Sequence, residues 1–356
     1  MATNTTEIVS TGAIRYNTDS NKMECFDGTK WWRVAVSSPD LGGNGNTSTA
    51  PTGNSASQVS GSRVVTGAGY APGGDTDKIE YFNITTTGDA VTFGDCTVNR
   101  KWPGGFSNGT RGIITGGKDN PKSDTADYVT IASTGDAVQW HSSFEWGWSG
   151  ASHSSSTRGI LMGGKNNSNN DFDTINYCTI ATTGNAQDFG NLTEATGYTA
   201  GTGSPTRAFR FGGGNPTTWN TIDYVTIAST GHAQDFGDLM TPIYRNAALS
   251  STTRALISSG ESPASDGLKT IESITMTTIG NAVNFGDRIT GGQHPAGGSN
   301  CVRGVWAGLQ NDGSPWSPLN HIDYVSISTE GNAVDFGDLV TPNMGMAMLS
   351  TNHGGL

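Results

Sequence analysis

Charge is scarce in this chain. Only 14% of its 356 residues are Asp, Glu, Lys or Arg, and the balance is acidic, with a net charge of −11 at pH 7. No basic run occurs, which argues against nucleic acid as a partner, because that contact depends on Lys and Arg displacing counterions. The same shortage argues against anionic membrane surfaces. No apolar stretch approaches the roughly 18 residues of a membrane-spanning helix. The N-terminus, M-A-T-N-T-T-E-I-V, lacks the basic and apolar regions of a signal peptide. Four cysteines stand far apart, at 25, 96, 178 and 301, with no C-x-x-C pair and no metal-ligand spacing. Cys178 stands where other copies of a repeat carry Val or Ile, which makes it a small buried hydrophobe. The six His residues are scattered and no G-x-S-x-G nucleophile motif accompanies them. Helix formers such as Lys, Glu and Leu are few. Nothing in the residues implies a cofactor or a metal.

Glycine is what the chain has in excess: 51 residues, about twice the usual share. Thr, Ser and Asn fill the polar positions. That mixture suits short strands joined by Gly-rich turns, hence an all-β protein. Two markers recur along the chain. One is Gly followed by Asp, Asn or His and then Ala, at Gly88, Gly135, Gly184, Gly231, Gly280 and Gly331. The other is Arg before a short apolar run, at Arg63, Arg111, Arg158, Arg207, Arg254 and Arg303. Both mark six copies of a unit of about 49 residues, the length of a four-stranded propeller blade.

Within the copy from 150 to 191, residues 150–155 are small and polar, fit for a crowded inner strand. Residues 158–164 make the second strand, 175–180 the third and 186–190 the fourth. The phrase T-T-G-N before the fourth strand predicts a tight hairpin with Gly first of two central residues. The C-terminal run M-G-M-A-M-L-S at 344–350 aligns with an innermost strand, R-N-A-A-L-S-S at 245–251. It can therefore supply the inner strand of the first blade, a place for which residues 56–61 compete. The fold expected is a six-bladed β-propeller over 61–356, closed by its C-terminal strand. A Gly/Ser/Thr-rich linker, 37–60, precedes it. Before that, residues 1–36 form a small N-terminal β-hairpin module. There, two strands flank T-D-S-N-K and a third follows D-G.

The runs R-G-I-I-T-G-G at 111–117 and R-G-I-L-M-G-G at 158–164, each followed by a Tyr strand and an aromatic fourth strand, resemble the kelch repeat. The fourth strand departs from that pattern. Its Trp is retained at Trp140 but replaced by Phe at Phe93, Phe189, Phe236, Phe285 and Phe336. The resemblance implies a β-propeller. A second resemblance comes from G-A-I-R-Y-N and E-C-F-D-G-T-K-W in the N-terminal module, with D-Y-V-T-I-A-S-T-G in the repeats. These phrases are similar to virion structural and tail-fibre proteins of marine and cyanobacterial phages. That resemblance implies a virion component assembled in the host cytoplasm. The N-terminal module, with Tyr16, Phe26, Trp31 and Trp32, would attach to other virion proteins and form a homo-oligomer, a trimer by analogy.

In a four-stranded blade the first-to-second and third-to-fourth turns share one face of the disc. Here that face is uniform. The opposite face carries the variable second-to-third loops and the crossings between blades, where binding residues usually gather. Most Trp outside the N-terminal module fall on it, Trp102, Trp146, Trp148, Trp219 and Trp316, and Tyr198 and Tyr244 join them. Flat rings beside Asn, Asp and Ser suit a sugar, and host-surface glycan is the expected ligand. The plain alternative is that the rings pack beneath the loops. The Arg series reads either as an anion site at the channel mouth or as a repeated ion pair with Glu80, Asp127, Asp223, Glu272 and Asp323. The repeated Asp95, Asp238, Asp287 and Asp338 supply one carboxylate each, too few for a calcium cage without help. Asp171, Asp173, Glu145 and Glu194 are the carboxylates from which a glycosidase pair would have to be drawn. The expectation is a non-enzymatic receptor-binding part, the alternative a decoration or connector protein whose loops bind another virion protein.

Overall fold

The computed structural model describes residues 13–17, 22–26, 29–33, 63–118, 125–141, 147–166, 168–182, 184–214, 217–258, 260–311 and 317–356. The chain separates into two compact units, Met1–Gly53 and Asn54–Leu356. In the first, Ile14–Asn17, Lys22–Phe26 and Trp31–Arg33 form a three-stranded antiparallel sheet. Phe26 and Trp31 face each other across it at 5.3 Å between ring centroids. The side chains of Tyr16 and Trp32, the linker and residues 56–61 lie outside the described residues.

The second unit is a six-bladed β-propeller. Blade three shows the plan: Ala151–Ser154, Arg158–Lys165, Asp171–Thr179 and Gln187–Asn191 pair antiparallel in chain order. Blades two, four, five and six repeat it over 104–141, 200–238, 247–287 and 296–343. Blade one takes its inner strand from the far end of the chain. Ala347–Ser350 pairs with Arg63–Gly67, which continues to Gly74–Asn83 and Val91–Arg100. The chain therefore enters at Arg63 and ends beyond Ser350 on the same, uniform face.

Apolar residues occur on both faces of the middle strands, because every blade is covered by a neighbour on each side. The core is accordingly divided into six clusters, one per blade interface. Val225 and Ile227 of blade four pack back on blade three. Ile222, Tyr224 and Phe236 of the same blade pack forward on Ile257 and Ile274 of blade five. At the seam, Val64, Phe82 and Ile84 meet Val305, Ile322 and Phe336 in the same way. Cys178 lies in such a cluster beside Trp140 and Ile180, and burial pushes its thiol up to about 12.

Two sequence markers do work other than that expected. The G-x-A phrase is not a two-residue hairpin. It lies against the fourth strand of the preceding blade, so its N–H groups bond there: Gly231 to Phe189 O at 2.8 Å and Ala233 to Asn191 O at 2.8 Å. The seam is stitched alike, with Gly88 N–H on Phe336 O at 2.8 Å and the Asp89 carboxylate accepting from Asp338 N–H at 3.0 Å. The approach is close enough to need glycine. A Cβ at Gly337, where φ is +148°, would stand 2.5 Å from Gly88 O.

The Arg series is neither an anion ring nor an ion pair with the strand acids. Each guanidinium instead donates to a carbonyl one blade further on. Arg63 reaches Ile131 O at 2.8 Å, Arg158 reaches Ile227 O at 2.6 Å, and Arg207 reaches Met276 O at 3.0 Å. Arg303 closes the circle on Ile84 O at 2.9 Å. Most also stack on a ring of their own blade, as Arg303 does on Tyr324 at 4.3 Å. The strand acids hold the crossings instead. Glu80 accepts from Val340 and Thr341 N–H, and Asp127 accepts from Thr97 while paired with Arg100.

Arg303→Met removes the clamp across the seam and leaves a buried carbonyl without its donor. The expected cost is about 1–3 kcal/mol, matching Arg207→Met inside the ring. Urea unfolding midpoints of the two variants check this, and a free seam substitution would place closure elsewhere.

Candidate functional site

Where each crossing turns into an inner strand, one residue per blade adopts a left-handed backbone. These are Trp102, Ser149, Tyr198, Arg245 and His294, with φ between 52° and 57°, and Gly345 at 58°. Their backbones bond in a circle about the axis. Trp102 N–H donates to Gly345 O at 2.8 Å, Gly345 to His294 O at 2.8 Å, His294 to Arg245 O at 2.8 Å and Arg245 to Tyr198 O at 2.7 Å. Thr199 N–H on Ser149 O at 3.2 Å and Ser149 N–H on Trp102 O at 3.0 Å complete it.

Alternate members of the circle turn rings toward one another. Trp102 lies 5.3 Å from His294 and 6.3 Å from Tyr198, and Tyr198 lies 5.7 Å from His294. Trp148 stacks on Trp102 at 5.1 Å, and Tyr244 approaches Tyr198 at 6.3 Å. Gly345 sits where a Cβ would meet the Trp102 ring. Cations frame the rings. Lys118 lies 4.7 Å over Trp148, Lys101 lies 5.1 Å over Trp102, Lys165 lies 5.1 Å over Tyr198, and Arg245 lies 4.9 Å over Tyr198. Burial, with Arg245 alongside, holds His294 well below its usual range, so it is neutral. Burial, then the Glu261 carboxylate, pushes the Tyr244 hydroxyl up to about 12.

Four of the seven candidate rings thus meet in one cluster: Trp102, Trp148, Tyr198 and Tyr244. Trp148 corrects the picture of a ring free on a loop. It is 3% exposed, stacked on Trp102 with the Lys118 ammonium over its ring. Trp102, Tyr198 and Tyr244 are half-buried and keep surface at the mouth. Trp219 opens the third strand of blade four, pairs with Gly213, and is not joined to the cluster among the described residues. Trp146 and Trp316 lie outside the described residues. Of the candidate acids, Asp171 is paired with Lys165 and Glu194 with Arg210. Asp173 accepts from the Asn191 amide at 2.9 Å.

His294, Arg245 and the three lysines were missed by sequence reasoning. The signal existed, because these residues stand at the repeat spacing. Read down the copies, however, that column is Trp, Ser, Tyr, Arg, His and Gly, and a column without a consensus carries no marker.

Beneath the rings lies an axial cavity of about 160 Å3 walled by the inner strands, with Ser152, Thr202, Asn246 and Met348 among its lining residues. Residues 351–356 lie across its other end and touch every blade. Thr351 N–H bonds Arg63 O, and His353 Nε2 meets Ser107 O at 2.9 Å and Ser154 Oγ at 3.2 Å. Gly354 packs on Gly203 and Ser250, and Asn352 O accepts from the Cys301 thiol at 3.5 Å. The His153 and His353 rings stand 5.6 Å apart. His353 Nδ1 accepts from Gly355 N–H at 3.0 Å, so the place of a second ring proton is taken.

No protein-family model matches the chain, and no curated protein matches it.

Burial, joined for His153 by the neighbouring His353, lowers the two histidines to about 3 and about 4. Both then bind fewer protons folded than unfolded below an unfolded value near ~6.5. Their contribution to stability is full above that pH and is lost progressively as pH falls through the folded values. Glu80 and Glu272, raised by burial, act in the opposite sense. His353→Gln keeps an amide N–H for Ser107 O. It should flatten the fall in melting temperature between pH 7 and 4.5 relative to wild type, and an unchanged slope would remove the pair from the acid response.

Proposed function

We propose that the chain is a non-enzymatic phage virion protein, a tail-fibre or receptor-binding component. In this reading the aromatic mouth of the propeller contacts host-surface glycan, and the N-terminal module attaches to the virion and makes the homo-oligomer. One observation carries the reading. Five residues other than glycine hold a left-handed backbone at the mouth. Each costs on the order of 1 kcal/mol or more, although glycine fills the same place in the sixth copy without that cost. Strain kept at five equivalent positions marks side chains wanted where they stand. Three of the five are rings, two of them, Trp102 and Tyr198, half-exposed, and half-exposed rings among polar groups are the chemistry of sugar stacking.

The topology supports the same reading. The chain enters the propeller on the uniform face, whereas the rings open on the opposite face. A second reading, a capsid or tail decoration or connector protein, draws on another surface. Val283, Val334 and Val340 on the outer strands of blades five and six, and Ile289 just past the first of them, are 47–57% exposed. Exposed apolar side chains of this kind suit a protein neighbour.

Trp102→Gly removes the ring and leaves a residue suited to the backbone at φ 56°. Full-length protein carrying it should bind host cells about tenfold more weakly, ~1.4 kcal/mol, with its melting transition still cooperative. Periodate treatment of the cells should abolish wild-type binding. Undiminished binding to treated cells would reject the glycan.

A further inference from the structure

The lysines at the mouth are not spread around it. Lys101 and Lys118 are bridged to each other by their backbones, and Lys165 is bridged to Trp148, so three lysines occupy the sector of blades one to three. The far sector carries Glu261, Gln293 and Gln310. Acids answer most of this charge but not all. Lys101 pairs with Asp75 at 2.7 Å, Lys165 pairs with Asp171, and Arg245 pairs with Glu261 at 2.6 Å. Lys118 is exposed and has no ion-pair partner among the described residues, and its ammonium lies over Trp148 at 4.7 Å and Trp102 at 6.0 Å. An ammonium over an aromatic pair, with no acid beside it among the described residues, is unusual in a chain of net charge −11.

Unused hydrogen-bonding capacity at the same mouth is also mostly donor. Trp102 Nε1, Arg245 Nε and Ser149 Oγ are buried without hydrogen-bond partners among the described residues. Tyr198 and Tyr244 are held as neutral hydroxyls, since burial raises both. A surface of half-exposed rings and an ammonium with no ion-pair partner among the described residues complements a ligand that has an apolar ring face and an excess of acceptor oxygens. A neutral sugar satisfies the rings but leaves the ammonium unanswered.

We propose that the sector bounded by Lys101, Lys118 and Lys165 takes an anionic sugar, with Lys118 meeting its acidic group and Trp102 its ring face. This rests on the glycan reading above and narrows it to one class of sugar. Carboxylated and sulfated sugars share the required chemistry, an oxyanion on a pyranose. A charge-assisted bond to an ammonium is about twice as strong as a neutral one. The acidic remainder of the surface repels polyanions, so adsorption by bulk charge does not mimic the site.

The test uses the full-length chain passed over surfaces carrying polygalacturonate, dextran sulfate or unmodified dextran. Wild type should be retained by one or both polyanions over dextran, and which of them holds it identifies carboxylate or sulfate. Lys118→Met keeps the apolar stem over Trp148 and should weaken retention at least tenfold. Lys118→Arg should preserve it. Equal retention on dextran would overturn the anionic assignment while leaving the glycan reading intact. Polyanion binding that ignores Lys118→Met would also overturn it. Failure to bind any of the three overturns it as well, and the periodate arm on whole cells then decides the broader reading separately.

Discussion

No blade of this protein can satisfy its own backbone. Buried N–H and C=O groups must be paired, and here the partners lie one blade along. At the axis the left-handed residues bond in a circle, with Trp102 N–H on Gly345 O closing it. At the uniform face each Arg reaches a carbonyl in the next blade. At the rim the G-x-A segment bonds the preceding fourth strand. Two circles of hydrogen bonds therefore run around the disc, with rim bonds at five of the six blade interfaces among the described residues, and the circles close only when the sixth blade meets the first. The inner strand supplied by Ala347–Ser350 is the consequence of that constraint.

This explains which parts of the fold could be read from sequence. Residues that serve the interfaces must repeat, because every interface poses the same problem. The Arg and Gly-x-Ala columns gave the period and the six blades, and the likeness of 344–350 to an inner strand gave the closing one. Their purposes were misread for one reason. A sequence shows neighbours along the chain, so Gly231 looked like a turn within its own blade. Its partner is Phe189, in the blade before. Arg207 likewise looked suited to an acid of its own sheet, whereas its acceptor is Met276 O in the next blade.

The site was half legible for the complementary reason. Trp102, Trp148, Tyr198 and Tyr244 stood out as aromatic rings, but nothing in the sequence separates a ring that packs from one that shows. Trp148 was placed among the contacts and is packed; Trp102, beside it, keeps surface. Lys118 recurs as Lys165 one copy on, but a lysine after Gly-Gly does not announce the ring it meets. Its position over Trp148 depends on two crossings meeting at the axis. The tail gave no signal either. Residues 351–356 contain only small and polar side chains apart from Leu356, yet they touch all six blades. Their work is done largely by backbone groups and by His353.

The division of labour between backbone and side chain also accounts for where specificity can reside. The axial circle is built from N–H and C=O groups, which every residue but proline possesses. Closure therefore places no demand on the side chains of that column beyond tolerance of a left-handed backbone. The Arg and Gly columns have no such freedom, because their side chains, or the lack of one, make the interface. A scaffold that repeats six times thus leaves one ring of positions whose side chains can differ in every copy, and it gathers all six at one point on the axis. An asymmetric ligand can be met there by an almost symmetric protein. The run of Trp, Ser, Tyr, Arg, His and Gly around the mouth is what such freedom permits.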